Sequence, residues 1–187
     1  MRTRLKCRSI AIAVTLLALP LVHEEARAQG TTPSAGAPPD TGFVEYSEWY
    51  GRRLKIHRRA SYAMIPMFAV QYVAGRQLME KSSDAPRWAI HWHGPLATGV
   101  AVLFVANTFT GGWNLWAARK DPEARKWRTV HSLLMLAADG GFTAAGLLAE
   151  RAERSSSARR QHRSIALTSI GVATVGYLMM LPPLRRD

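Results

Sequence analysis

Cysteine is almost absent. The 187-residue chain has one, Cys7. It lies in an N-terminal stretch that reads as a secretory signal: Arg2, Arg4, Lys6 and Arg8, then a short apolar run from Ser9 to Val22, then an A-x-A cleavage signature at Ala26-Arg27-Ala28. Cleavage there predicts a mature chain that starts at Gln29 and contains no thiol. Such a chain holds no disulfide, no Cys-ligated iron–sulfur cluster and no haem attached through C-x-x-C-H. Acidic residues are also scarce, 13 against 25 Lys and Arg, for a net charge of +12. The sequence lacks a Gly-rich phosphate loop, a G-x-S-x-G elbow and an H-E-x-x-H zinc site. It lacks the H-x-x-x-H clusters of membrane di-iron oxygenases as well, and only an H-x-H occurs, at His91 and His93.

The positive residues are not spread evenly. They frame apolar segments: Arg52, Arg53, Lys55, Arg58 and Arg59; Arg119, Lys120, Arg125, Lys126 and Arg128; Arg159, Arg160 and Arg163. Charges at the ends of apolar runs anchor helices at lipid headgroups. No nucleic-acid-binding motif accompanies them, so no nucleic-acid partner is expected. The mean hydropathy just below zero averages over strongly segregated apolar and Arg-rich stretches.

This segregation predicts an all-α membrane protein, a four-helix transmembrane bundle preceded by a signal peptide and a flexible linker. Residues 1–28 are the signal, and the Gly-, Pro-, Ser- and Thr-rich residues 29–42 the linker. Residues 43–55, with Tyr46, Trp49 and Tyr50 beside the first basic cluster, read as an interfacial amphipathic segment. Residues 56–184 form the bundle. Its helices are expected at Ile56 to Met79, Trp88 to Ala118, Val130 to Ala149 and Ser164 to Leu184, the first being the shortest apolar run and containing Pro66. Small residues recur in all of them, which suits close helix packing in lipid or room for a flat group between helices.

Every one of these segments carries a histidine at its N-terminal edge: His57, His91 and His93, His131, and His162. Consecutive spans run in opposite directions, so segments one and three start at one membrane face and segments two and four at the other. His57 can then meet His131, and His162 can meet His93 or His91. Two imidazoles facing each other across a bundle are the axial pair of a low-spin haem. His91 and His93 are about 200° apart around one helix, so they do not serve together. A weak internal repeat favours His93. Shifting the first segment by 36 places His57 on His93, Phe68 on Phe104, Gln71 on Asn107 and Gly75 on Gly111. Shifting the third by 31 places His131 on His162, Gly140 on Gly171, Thr143 on Thr174 and Leu147 on Leu178.

Arg58, Arg59, Arg128 and Arg163 lie within three residues of these histidines, and either pair with haem propionates or anchor the helices. Asp139, eight residues into the third segment among Leu, Ala and Gly, is a candidate proton relay, with Gln71 and Asn107 as candidate partners.

With one histidine per helix, and Val130-His131-Ser132-Leu133 similar to a His-Ser stretch of its core helices, the region from Ile56 to Leu181 resembles the cytochrome b561 family. The resemblance implies two haem b groups, one shared by helices one and three and one by helices two and four, and electron transfer across a membrane. It departs from that family in having four spans where many members have six, in lacking an ascorbate-site motif, and in the string Trp88-Ala89-Ile90-His91-Trp92-His93. The chain is expected to be a multi-pass protein of the inner membrane; the resemblance does not give its electron donor, and a quinol or other small reductant and a redox protein are the candidate partners. A further reading, separate from the resemblance, is a haem-bearing subunit of a quinol oxidase or dehydrogenase that works with a soluble redox partner. The competing expectation is a cofactor-free membrane scaffold or anchor subunit of a larger respiratory or transport complex. Oligomeric state is not legible. A cleaved signal also puts twelve Lys and Arg outside the membrane and eight inside, against the positive-inside rule.

Overall fold

The computed structural model describes residues 45–81 and 84–181. The expected signal (1–28) and linker (29–42) lie outside the described residues. Four α-helices, and no strand among the described residues, follow in order: α1 Glu48–Lys81, α2 Arg87–Ala117, α3 Arg125–Arg154 and α4 Ser156–Leu178. The helices overrun the apolar segments because Arg and Lys are good helix formers and continue the hydrogen-bond ladder past the last apolar residue. Glu48 to Lys55, expected as part of a separate interfacial segment, is the opening of α1 itself. Only Ser155 separates α3 from α4. Its backbone is extended, and its side chain accepts from the Ala158 amide at 3.5 Å, an N-cap that restarts the helix at once.

The helices form two antiparallel hairpins, α1 on α2 and α3 on α4, which meet along α2–α3 and α1–α4. Among the described residues α1 and α3 make no close backbone approach, nor do α2 and α4. These pairs are the diagonals of an up-down-up-down bundle. Small side chains let α3 and α4 close up. Ala138, Ala145 and Ala152, seven residues apart, are buried on α3, as are Ser169, Ala173 and Gly176 on α4, and Ala138 and Ala173 share the central cluster. Gly141 lies so near Ser169 that a Cβ there would overlap its Oγ and stand 3.2 Å from its Cβ. Gly141→Ala should therefore destabilise the protein by about 1–3 kcal/mol, the usual scale of overpacking. Unfolding in detergent measures this, and Ser169→Gly should recover part of the loss.

The centre of the bundle is an apolar layer of Met64, Phe68, Val100, Phe104, Ala138 and Ala173. Phe142 completes it, with ring centres 5.6 Å from Phe68 and 4.9 Å from Phe104. The outside is apolar too: Tyr62 and Val73 on α1, Val102 and Phe109 on α2, Leu136 and Leu147 on α3 and Val175 on α4 are all exposed. Hydroxyls bond back to their own helix, Ser169 to Ile165 O and Thr174 to Ile170 O within the bundle and Thr98 to Gly94 O on its outer surface. An outer surface of this kind marks contact with lipid or with another protein. α2 and α3 are long and apolar enough to cross a membrane. On α2, exposed Trp92 and Trp113 bracket about 31 Å of helix, close to the thickness of a bilayer's hydrocarbon core.

A polar latch joins the residues just before α1 to the α2–α3 connection and the first turn of α3. Tyr46, stacked on Tyr50 at 4.2 Å, donates to Asp121 Oδ2. Arg128 binds the same carboxylate at 3.2 Å and the Asp121 carbonyl at 2.7 Å. The Tyr46 hydroxyl, then the Glu123 amide at 2.9 Å and Arg128, hold the Asp121 carboxyl below its ordinary value. Partial loss of water and the bond to Asp121 push Tyr46 up to about 12. The contribution of Asp121 is complete above the ordinary carboxylate range and is lost as pH falls through its depressed value. The contribution of Tyr46 is complete below the ordinary tyrosine pKa of about 10 and is lost as pH rises through the raised value. Tyr46→Phe should move the Asp121 titration upward, towards the ordinary range, as followed by NMR; an unchanged midpoint would contradict the latch.

Candidate functional site

His93, His131 and His162 each sit six residues after the first residue of their helix, and His57 nine after that of α1. Because the helices alternate in direction, His57 and His131 come together across one diagonal, with ring centres 6.2 Å apart and planes at 86°. His93 and His162 come together across the other, at 6.4 Å and 67°. His91 lies exposed on the outer surface with its ring edge-on to Trp92, so His93 is the residue of segment two that faces α4. On α1, His57 and the Gly75 that packs against His93 are 18 residues apart, which sets the two pairs about 27 Å apart along the bundle. The Phe68, Phe104 and Phe142 layer lies between them.

Three of the four rings have their Nδ1 tied back to the bundle. His131 Nδ1–H donates to the Gly176 carbonyl and His162 Nδ1–H to the Ala145 carbonyl, both at 2.8 Å. His57 Nδ1–H donates to Thr110 Oγ1 at 3.2 Å, whose own proton goes to the Ala106 carbonyl at 2.8 Å. Each of these bonds leaves Nε2 as the free, unprotonated nitrogen. Glycine makes room for two of the rings: a Cβ on Gly111 would stand 3.0 Å from His57 Cε1, and one on Gly75 would stand 3.2 Å from His93 Cε1. His93 Nδ1 is buried with no partner.

These contacts obey the internal repeat. His57 packs on Gly111 as His93 packs on Gly75, and the 36-residue shift exchanges the two contacts. His131 bonds the Gly176 carbonyl as His162 bonds that of Ala145, and the 31-residue shift exchanges those. A further regularity runs through all four helices. Seven residues after each histidine comes a buried side chain, Met64, Val100, Ala138 or Ser169. Eleven after it comes the central layer, Phe68, Phe104, Phe142 or Ala173. Spacings of seven and eleven return to the face of the helix that carries the histidine.

The arginines expected beside the site behave differently. Arg58, Arg59 and Arg163 are exposed. They neighbour a histidine in sequence but lie about 100° (Arg58 and Arg163) or about 200° (Arg59) round the helix from it, so they point away. Arg128, three residues before His131, is engaged by Asp121 in the latch. The arginine on the face of His57 is Arg53, one turn back. It is stacked over Trp113 at 4.9 Å and donates to Asn114 Oδ1 at 3.3 Å. Asn114 is 6 % exposed, and its Nδ2 has no partner. Asp139 accepts from Thr108, not from Gln71 or Asn107, whose amide oxygens are buried without partners. That bond ties α2 to α3.

Two imidazoles bound to one metal ion at about 2.0–2.1 Å each, with each nitrogen about 1.1 Å from its ring centre, hold their centres about 6.3 Å apart. Edge-to-face aromatic pairs span the same distance, so spacing alone does not identify a ligand pair. The tethered Nδ1 atoms add to it, because histidines that bind metals nearly always donate their other N–H to a carbonyl, a carboxylate or water. Among the described residues no group of three or more metal-ligating side chains occurs. Two imidazoles from a diagonal suit a metal that brings its own equatorial donors. No family model, curated protein or solved structure matches the chain.

Proposed function

We propose that this chain is a cytochrome b561-like electron carrier whose four helices cross the inner membrane and hold two haem b groups, His57 and His131 binding one and His93 and His162 the other. The observation that carries the reading is the pair of diagonal histidine contacts at 6.2 and 6.4 Å, with Nδ1 donated to the bundle in three of the four rings. The residues fit the group. Gly111 and Gly75 stand where a side chain would displace a ring, and the buried nitrogens are neutral donors. Haem iron held by two imidazoles supplies one-electron exchange.

The chain's own residues do the rest. Nδ1 donation fixes which nitrogen faces the diagonal and keeps each ring from turning. Arg53 and Asn114, on the face of His57, take the place proposed for Arg58, Arg59 and Arg128 in pairing a carboxylate. The packed phenylalanine layer excludes water between the two sites. All four helices lie side by side, so α1 and α4, although less apolar than α2 and α3, share the membrane depth set by Trp92 and Trp113. A quinol or other small reductant would deliver electrons at one face and a redox protein would receive them at the other.

The test is transfer across a sealed bilayer. Haem-loaded protein in liposomes should carry electrons from an external reductant to an acceptor trapped inside, at a rate well above that of protein-free liposomes. Equal rates with and without the protein would contradict the function.

A further inference from the structure

The two sites are related by the repeat, yet they are not chemically equal. His57 and His93 are equivalent under the 36-residue shift, and each has its Cε1 against an equivalent glycine, Gly111 or Gly75. The residue before each glycine differs. Before Gly111 stands Thr110, whose hydroxyl accepts from His57 Nδ1. Before Gly75 stands Ala74, fully buried and without a hydroxyl, and His93 Nδ1 is buried with no partner. The Asn107 carbonyl, 3.3 Å from Thr110 Oγ1, is a second hydrogen-bond partner of His57. Gln71 and Asn107, also equivalent, both carry buried amide oxygens without partners. On the opposite hairpin His131 and His162 have matched carbonyl acceptors at 2.8 Å. The contrast between the two sites is one of acceptors: the Thr110 hydroxyl and the Asn107 carbonyl beside His57, and none for His93 Nδ1.

We infer that Thr110 is a positioning residue that locks His57 as the Nδ1–H tautomer and makes it the more basic ligand, and that Ala74 leaves His93 the weaker one, so that the two sites differ in reduction potential. The part concerning potentials rests on the two-haem reading; the part concerning tautomers does not. A hydrogen bond from Nδ1–H enriches Nε2 in electron density, which favours the more highly charged, oxidised metal. Such bonds are among the levers that set haem potentials. The His57–His131 site, with both ligands bonded, is then the lower in potential. The His93–His162 site, with one bonded, is the higher. Electrons entering at the face of His57 move energetically downhill to the face of His93, and this difference in acceptors, to which Thr110 contributes, gives the repeat a direction.

The experiment has two readouts. The first is the ¹⁵N spectrum of histidine-labelled protein, which reports tautomers whether or not haem is present. His57 should be the Nδ1–H form and His93 a mixture. Thr110→Val, which keeps the shape and removes the hydroxyl, should turn His57 into a mixture, and Thr110→Ser should restore it. The second is a redox titration of haem-loaded protein. Thr110→Val should raise the lower of two midpoints and leave the upper in place. Ala74→Ser, whose hydroxyl can return its proton to the Val70 carbonyl as Thr110 does to Ala106, should lower the upper midpoint. The Thr110 pair decides the matter if Ala74→Ser does not fold. Identical tautomer mixtures at His57 and His93, unchanged by Thr110→Val, overturn the inference. So does a shift of both midpoints together. A wild-type protein without haem refutes the two-site reading and the potentials, while the tautomer readout still decides the role of Thr110.

Discussion

Replacing His131 by alanine is expected to halve the haem content, leaving one haem of two, and to leave the helical content unchanged. His57→Ala should do the same, and the double variant should lose no more than either single change, because both remove one site. His162→Ala and His93→Ala should remove the other haem, and either combined with His131→Ala should empty the protein. The reasoning is geometric. The rings meet across diagonals, where α1 and α3, or α2 and α4, make no close backbone contact among the described residues. No second histidine stands ready on the same face, since His91 points outward. Pigment extraction and circular dichroism together separate the loss of a site from the loss of the fold. If His57→Ala and His162→Ala removed the same haem, the pairing would be wrong.

Leucine in place of Gly111 should abolish haem binding at the His57–His131 site while the second haem remains, and leucine in place of Gly75 should do the reverse. A Cβ alone would press on His57 Cε1 at 3.0 Å or on His93 Cε1 at 3.2 Å. An isobutyl group adds bulk beside the same ring. Gly111→Ala and Gly75→Ala should be milder, weakening retention at the affected site about 10–100-fold, the scale expected when the support of a metal-bound histidine is disturbed. Haem-release assays measure the effect site by site. Equal effects of Gly111→Leu and Gly75→Leu on both haems would show that these glycines serve general packing.

Much of this arrangement follows from order along the chain. One histidine at the start of each of four helices, with alternating directions, is enough to bring His57 to His131 and His93 to His162. The errors come from reading proximity in sequence as proximity in space. Arg58 adjoins His57 but faces away from it, whereas Arg53, one turn back, shares its side of α1. Arg128 is near His131, but Asp121, in the connection before α3, captures it. The acceptors of His131 and His162 are backbone carbonyls, which any residue carries, so no side-chain pattern announces them. Thr110 is likewise hidden, because threonines in apolar helices usually bond their own carbonyls, and Thr110 does that as well as accepting from His57. The spacing of seven and eleven residues from each histidine to Met64, Val100, Ala138 and Ser169, and to Phe68, Phe104, Phe142 and Ala173, is written in the sequence. Aligning the four helices on their histidines, rather than two at a time, makes it visible.

The most direct test of the whole account is a reduced-minus-oxidised spectrum of protein extracted from the membranes of haem-sufficient cells, with the haem-to-chain ratio measured on the same sample. The account predicts the spectrum of haem b held by two imidazoles, at two haems per chain. A folded, helical preparation without haem would contradict it and leave the chain as a cofactor-free membrane anchor.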